Sequence, residues 1–157
     1  MRPIDYFDKG ADAFPDRDAI VAADGSYSCT FREAQEASHR IARAMWARGM
    51  RGQERVALFA PNDPRVLLCI LGLLRSGGAW LPINPRNALD ANIDYMNHVE
   101  AVWLFYHSSF AEELEEIRSQ VPSLRHFVCI DDGLEAFMDE GSEADDIDWA
   151  DAYGNPD

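Results

Sequence analysis

Residues 73–85 read Leu-Leu-Arg-Ser-Gly-Gly-Ala-Trp-Leu-Pro-Ile-Asn-Pro. An apolar helical run stops at Gly77-Gly78, a short strand follows over Ala79–Ile83, and Pro82 and Pro85 limit further ladder pairing. Gly77 reads as the helix stop, and Gly78 as a place where two backbones approach closely. A helix running into a buried strand is one step of a parallel α/β sheet. The segments on either side decide whether the pattern continues.

It does. Asn62-Asp63-Pro64 offers a cap followed by proline in the first turn, and Arg65–Ser76 is apolar nearly all round, which predicts a deeply packed helix. Before it, Arg55–Ala60 (RVALFA) has the continuous apolar character of a strand buried on both faces. After it, Asn87–Val99 predicts a helix with Leu89, Ile93, Met96 and Val99 inward, and Ala101–Tyr106 predicts a strand. Ser109-Phe-Ala-Glu112 has the capping-box form and opens a helix to Gln120, before a last strand at His126–Ile130. Strands separated by single helices imply parallel pairing with right-handed crossovers. The predicted fold class is α/β, an open, mostly parallel sheet with helices on both faces.

The amino-terminal part adds a hairpin. Ile4, Phe7, Ala11 and Phe14 sit at helical spacing that Pro15 ends. Ala19–Ala23, the turn signal Asp24-Gly25 and Tyr27–Cys29 predict a β-hairpin forming an antiparallel edge. Thr30 and Glu33 form a second capping-box pattern, opening a helix that Gly49 ends.

The chain has 157 residues, 47% of them hydrophobic, enough for one domain with a core. Its formal charge of −14 is uneven. Residues 131–157 carry 11 of the 28 acids and no Lys or Arg, leaving 17 acids against 14 bases in residues 1–130. The expected organisation is therefore an α/β unit over 1–130 and an acidic loop or loosely ordered tail over 131–157. No basic patch reads as a phosphate-backbone footprint, so nucleic acid is not an expected partner. Cys29, Cys69 and Cys129 lie far apart in apolar settings and read as buried structural thiols. The longest apolar run, Val66–Leu74, is too short to span a bilayer and no signal-peptide pattern is present, so a cytoplasmic chain without a transmembrane segment is expected.

Open α/β sheets bind ligands beyond the carboxyl ends of their strands. Those ends carry Pro61-Asn62-Asp63, Asn84-Pro85-Arg86, His107-Ser108-Ser109 and Asp131-Asp132-Gly133. None is a glycine-rich phosphate cradle, and neither G-x-G-x-x-G nor G-x-x-x-x-G-K-[ST] occurs. The one lysine, Lys9, lies in the amino-terminal helix, away from every strand end. His107 beside Ser108 and Ser109 could suggest nucleophilic catalysis, but sequence neighbours rarely make a triad, and the serines read as helix caps. His39, His98 and His126 lack metal-ligand spacing. Asp131-Asp132 could bind Mg²⁺; a solvated acidic loop is the simpler reading. Trp46, Trp80 and Trp103 fit core or pocket walls. No catalytic, cofactor-binding or metal-binding residue is assigned.

The order of local patterns says more than any one of them. Cys29-Thr-Phe-Arg-Glu-Ala34 resembles the T-Y-x-E-L motif opening the first long helix of the adenylate-forming superfamily. Met50–Val56 resembles that superfamily's entry to a strand, with Gln53 and Glu54 standing where it has Gly-Asp. Asn62 matches a frequent asparagine after that strand, and Leu73–Pro85 resembles its L-x-[KR]-x-G-[AG]-x-[YW]-x-P-[IL]-[ND]-P motif. The superfamily includes acyl-CoA synthetases, fatty-acyl-AMP ligases and peptide-synthetase adenylation domains. Asn84-Pro85-Arg86 is more similar to the acid–CoA ligase form, which favours a fatty-acid or other carboxylic-acid CoA ligase. The resemblance implies a two-step reaction in the whole enzyme. ATP and a carboxylate, with Mg²⁺, give an acyl-adenylate, and the CoA thiol then takes the acyl group. The family's phosphate loop, its acidic Mg²⁺ ligand and its lysines have no counterpart in residues 1–157. The chain is therefore expected to be an amino-terminal portion, inactive alone, without ATP, Mg²⁺ or CoA of its own, and prone to self-association through uncovered apolar surface. A non-catalytic interaction module, a fatty-acyl-AMP ligase or amino-acid adenylation fragment, and a flavodoxin-like cofactor binder are the competing readings.

Overall fold

Alternation along the strands sets the layering of this protein. In the computed structural model, which describes residues 1–142, strands β3 (Arg55–Phe59), β4 (Ala79–Pro82), β5 (Trp103–Tyr106) and β6 (His126–Cys129) form one parallel sheet, in the order β4-β3-β5-β6. Val56, Leu58, Trp103, Phe105 and Val128 point to one face, while Ala57, Phe59 and Leu104 point to the other. Both sets are buried, as strands sandwiched between helices must be.

Helices α1 (Pro3–Ala13), α2 (Phe31–Ala47), α3 (Pro64–Arg75) and α6 (Leu134–Asp139) contribute to the first face's core, with Ile41, Met45, Leu73 and Phe137 among its members. Helices α4 (Leu89–His98) and α5 (Ala111–Gln120) cover the second with Ile93, Met96, Leu114 and Ile117. From β3 the chain passes over the first face to β4, then returns over the second to β5 on the far side of β3. The connections therefore reverse direction between β3 and β5, which places a topological switch point at their carboxyl ends.

The capped helix start at Thr30 forms as the sequence predicts. The Thr30 Oγ1 accepts from the Glu33 N–H at 3.2 Å, and the Glu33 carboxylate accepts from the Thr30 N–H at 2.8 Å. Asp63 caps α3 by accepting from the Arg65 N–H at 2.8 Å. Gly77 takes φ +85°, a left-handed turn, and a side chain on Gly78 would press against Met50 and Val56. These two glycines let β4 start beside β3, with the Ala79 N–H donating to Glu54.

Four expectations are revised. The hairpin of β1 (Asp18–Val21) and β2 (Ser28–Thr30) is antiparallel, but it makes a two-stranded sheet of its own instead of extending the parallel one. Strand β4 is an edge, with Ala79, Trp80 and Pro82 exposed and only Leu81 buried, because no strand among the described residues lies on its outer side. Helix α3 is not packed all round: Leu67 is exposed, and Val66 and Ile70 beside it are only half-buried. Residues 134–139, read as part of an acidic loop, form α6. Its Leu134, Phe137 and Met138 are buried, while Glu135 and Asp139 pair with Arg40 and Glu140 pairs with Arg48. Apolar residues at helical spacing hold that segment to α2 despite its charge. The expectation for residues 143–157 lies outside the described residues.

Candidate functional site at the carboxyl edge of the sheet

The polar residues at the strand ends gather into one network. The strand register places Tyr106 beside Cys129 and Phe59 beside Tyr106, so the loops after β3, β5 and β6 emerge together. The Ser108 N–H donates to Asp131 Oδ1 at 2.8 Å, and the Ser108 hydroxyl donates to Asp131 Oδ2. The Cys129 thiol donates to the same carboxylate at 3.3 Å. Burial pushes the Asp131 carboxyl up, but the Ser108 and Cys129 hydrogen bonds outweigh it and bring it down to about 2. Asp131 is thus a fixed acceptor, and the solvated reading is corrected.

Arg65 ties the other side. Its guanidinium pairs with Asp63 through two nitrogens and donates to the Asp131 carbonyl at 3.2 Å. That pairing holds the Asp63 carboxyl below the usual carboxylate range. His107 sits between the two acids, its Nε2 3.5 Å from Asp131 and 3.8 Å from Asp63. The Ser109 N–H donates to His107 Nδ1 at 3.1 Å, and the Ser109 Oγ lies 2.8 Å from the same nitrogen. An acceptor Nδ1 leaves the ring proton on Nε2, facing the carboxylates.

The capping box expected at Ser109 and Glu112 does not form, because the Ser109 hydroxyl is turned to His107, and a short 3₁₀ turn over Ser108–Phe110 precedes α5. Sequence reasoning kept His107, Ser108 and Asp131 apart. The signal that joins them is positional: each follows the last residue of a neighbouring parallel strand by one or two places.

Chemically, the network is closed. The Nδ1 that a nucleophilic serine would need is shared by the N–H and hydroxyl of one local turn. His107 and Ser109 line neither of the two clefts nearby. Among the described residues no group of three or more His, Cys, Asp or Glu is arranged to hold a metal ion. The first cleft, of about 770 Å³, is largely apolar and runs between the hairpin (Ile20, Val21), α3 (Leu67, Ile70) and the exposed edge of β4 (Trp80, Pro82). The second, of about 660 Å³, lies between α2 and α6, and its two cations, Arg40 and Arg65, are already paired with acids. Among the described residues neither cleft offers an unpaired cation for a triphosphate.

Cys29 and Cys69 are buried and Cys129 half-buried, none in a disulfide, and burial pushes all three thiols up. His126 stacks on Trp103 at 3.9 Å, and the Trp103 Nε1–H donates to Glu54 at 2.8 Å. No described helix is long and apolar enough to cross a membrane.

Comparison with known proteins gives the architecture a context. The sequence profile described as "AMP-binding enzyme" matches residues 7–156. Tyrocidine synthase 3 of Brevibacillus parabrevis is 28% identical over 135 residues, covering 86% of this chain and 2% of that protein. A dimodular nonribosomal peptide synthase of Bacillus subtilis is 34% identical over 92 residues, covering 59% of this chain and 4% of that protein. The crystal structure of a long-chain-fatty-acid–CoA ligase from Archaeoglobus fulgidus superposes with a TM-score of 0.80 at 25% identity, covering 92% of this chain and 32% of that one. The chain thus spans about a third of that ligase and a far smaller share of the synthases.

Proposed function

Because the chain belongs to the AMP-binding enzyme family, we propose that it is the amino-terminal scaffold of an ATP-dependent carboxylic-acid–CoA ligase that works through an acyl-adenylate. By itself it makes no adenylate. The observation that carries this reading is the closed network at the carboxyl edge: Asp63, Arg65, His107, Ser108 and Asp131 satisfy one another. They brace the three loops of the switch point, and the cation they place at a cleft, Arg65, is already paired with Asp63. In the whole enzyme ATP and Mg²⁺ would supply the activated phosphate chemistry, held by residues outside this segment, and CoA would accept the acyl group. The carboxylate substrate is a small molecule, and Asn84-Pro85-Arg86 supports a fatty or other simple acid. The three unpaired thiols suit a cytoplasmic setting.

The two synthases favour a second reading, an amino-acid adenylation domain that hands its product to a carrier. Reading the gene onward past Asp157 tests the common part of both. The expected result is a Ser/Thr/Gly-rich loop with a lysine within a few dozen codons, and an unrelated domain would contradict it. ATP–pyrophosphate exchange by the whole enzyme, with fatty acids in one panel and amino acids in another, separates the two readings.

We further propose that the isolated chain self-associates through the apolar cleft beside β4, where Val21 is 60%, Trp80 45% and Leu67 42% exposed. Ladder pairing at that edge is a poorer route. The Ala79 and Ile83 N–H groups donate inward to β3, so Trp80 and Pro82 face outward, and Pro82 has no N–H to give.

A further inference from the structure

We propose that Asp132–Gly133 is a site of spontaneous isoaspartate formation in the folded chain, while Asp24–Gly25, the other Asp–Gly step in the sequence, is locked against the same reaction. The two steps are alike in sequence, so the difference between them is a property of the fold. In both, glycine follows the acid, and no Cβ shields its amide nitrogen from the neighbouring carboxyl group.

The reaction needs nothing but water. The Gly133 amide nitrogen attacks Cγ of Asp132 in its neutral carboxylic-acid form, and an N–Cγ bond forms. The amide proton and the carboxyl hydroxyl leave together as one water, closing a five-membered succinimide. Water then adds to one of the two ring carbonyls. Breaking the N–Cγ bond restores aspartate. Breaking the bond from the nitrogen to the main-chain carbonyl carbon leaves isoaspartate, whose main chain runs through Cβ and Cγ. The carboxyl group must first swing onto the nitrogen, so one that is fixed elsewhere does not react.

At Asp24 both reacting groups are fixed elsewhere. Its Oδ1 accepts from the Ser26 N–H at 3.0 Å and from the Ser26 hydroxyl at 2.6 Å, and the Gly25 N–H donates to the Ala22 carbonyl at 2.9 Å. The Ser26 hydrogen bonds also hold the Asp24 carboxyl below its ordinary value, in the charged form that resists attack. Asp132 is exposed, and among the described residues no group hydrogen-bonds or pairs with its carboxylate. Asp131, one position earlier, is instead held by Ser108 and Cys129.

The change falls on a link between two anchors. Before it, Asp131 is tied to Ser108 and Arg65; after it, the Gly133 carbonyl accepts from the Phe137 N–H at 3.0 Å in the first turn of α6. An extra main-chain methylene between these anchors displaces α6, whose Phe137 meets Trp103 and Phe105, and so loosens that helix.

Ageing the purified chain in mildly acidic buffer at physiological temperature, with a portion kept in urea, tests this. Isoaspartate is read with an isoaspartyl methyltransferase and labelled S-adenosylmethionine, and its position by peptide fragmentation. In urea both steps should label alike. In the folded chain Asp132 should label about tenfold or more above Asp24, because each hydrogen bond that must first break is worth about tenfold in rate. Ser26→Ala should raise the label on Asp24, and Asp132→Glu should remove the label at 132. Aged chains should exchange the amides of 134–139 faster than fresh ones, while 103–106 stay protected. Equal labelling of the two folded sites, no label on Asp132, or no rise at Asp24 in Ser26→Ala would overturn the proposal. Unchanged exchange over 134–139 would overturn the coupling to α6.

Discussion

Ser108 and Asp131, 23 positions apart, are joined twice: the backbone N–H and the hydroxyl of one meet the two carboxylate oxygens of the other. The loops after β5 and β6 are held at this contact. Asp131→Asn removes the charge that both bonds depend on and should cost about 1–3 kcal/mol in urea unfolding at pH 7. The pH dependence has a definite sign. The folded carboxyl titrates at about 2, below the roughly 3.9 of an unfolded aspartate. Its contribution is present above about pH 3.9 and is lost as the pH falls toward 2. The gap between the parent and Asp131→Asn should therefore narrow between pH 5 and pH 2.5, and a gap that stays constant would contradict the assignment.

Thr30→Ala deletes the side-chain half of the capping box at the start of α2. The expected loss is about 1 kcal/mol, seen as a lower urea midpoint with an unchanged slope. Thr30→Ser should recover most of it.

Gly72 lies where α3 crosses α2, and a Cβ there would overlap the side chain of Ile41, which has no exposed surface. Gly72→Ala should destabilise by about 1–3 kcal/mol through overpacking, although alanine is the better helix former. Adding Ile41→Val should return part of that loss. A Gly72→Ala chain as stable as its parent would mean the two helices separate easily.

Self-association through the cleft beside β4 predicts opposite effects for two neighbouring positions. Trp80→Ser should lower the association constant in sedimentation equilibrium by removing exposed apolar area. Pro82→Ala should raise it by restoring an outward N–H to the sheet edge. A parent chain that is monomeric at high concentration would contradict the proposal.

The parallel sheet was legible because Arg55–Phe59 and Trp103–Tyr106 are apolar on both faces and single helices separate them. The hairpin, both early caps and the two glycines before β4 were legible from local chemistry. Strand order was not. Ala79–Pro82 has the residue types of an inner strand, and only its place at the end of the order makes Trp80 an exposed residue. Net charge hid α6, because three well-spaced apolar residues decide its docking while its acids reach across to Arg40 and Arg48. The site was hidden for a related reason. His107 and Asp131 become neighbours only through the pairing of β5 with β6, and the spacing of Ser109 to Glu112 suggested a cap instead.

The central claim is that residues 1–157 supply scaffold and not adenylation chemistry. ATP–pyrophosphate exchange tests it most directly, run on the purified chain with Mg²⁺ and panels of fatty, aromatic and amino acids. The account predicts no acid-dependent exchange above the enzyme-free blank for any of them. Sustained exchange that depends on one carboxylate and disappears with chelator would contradict it.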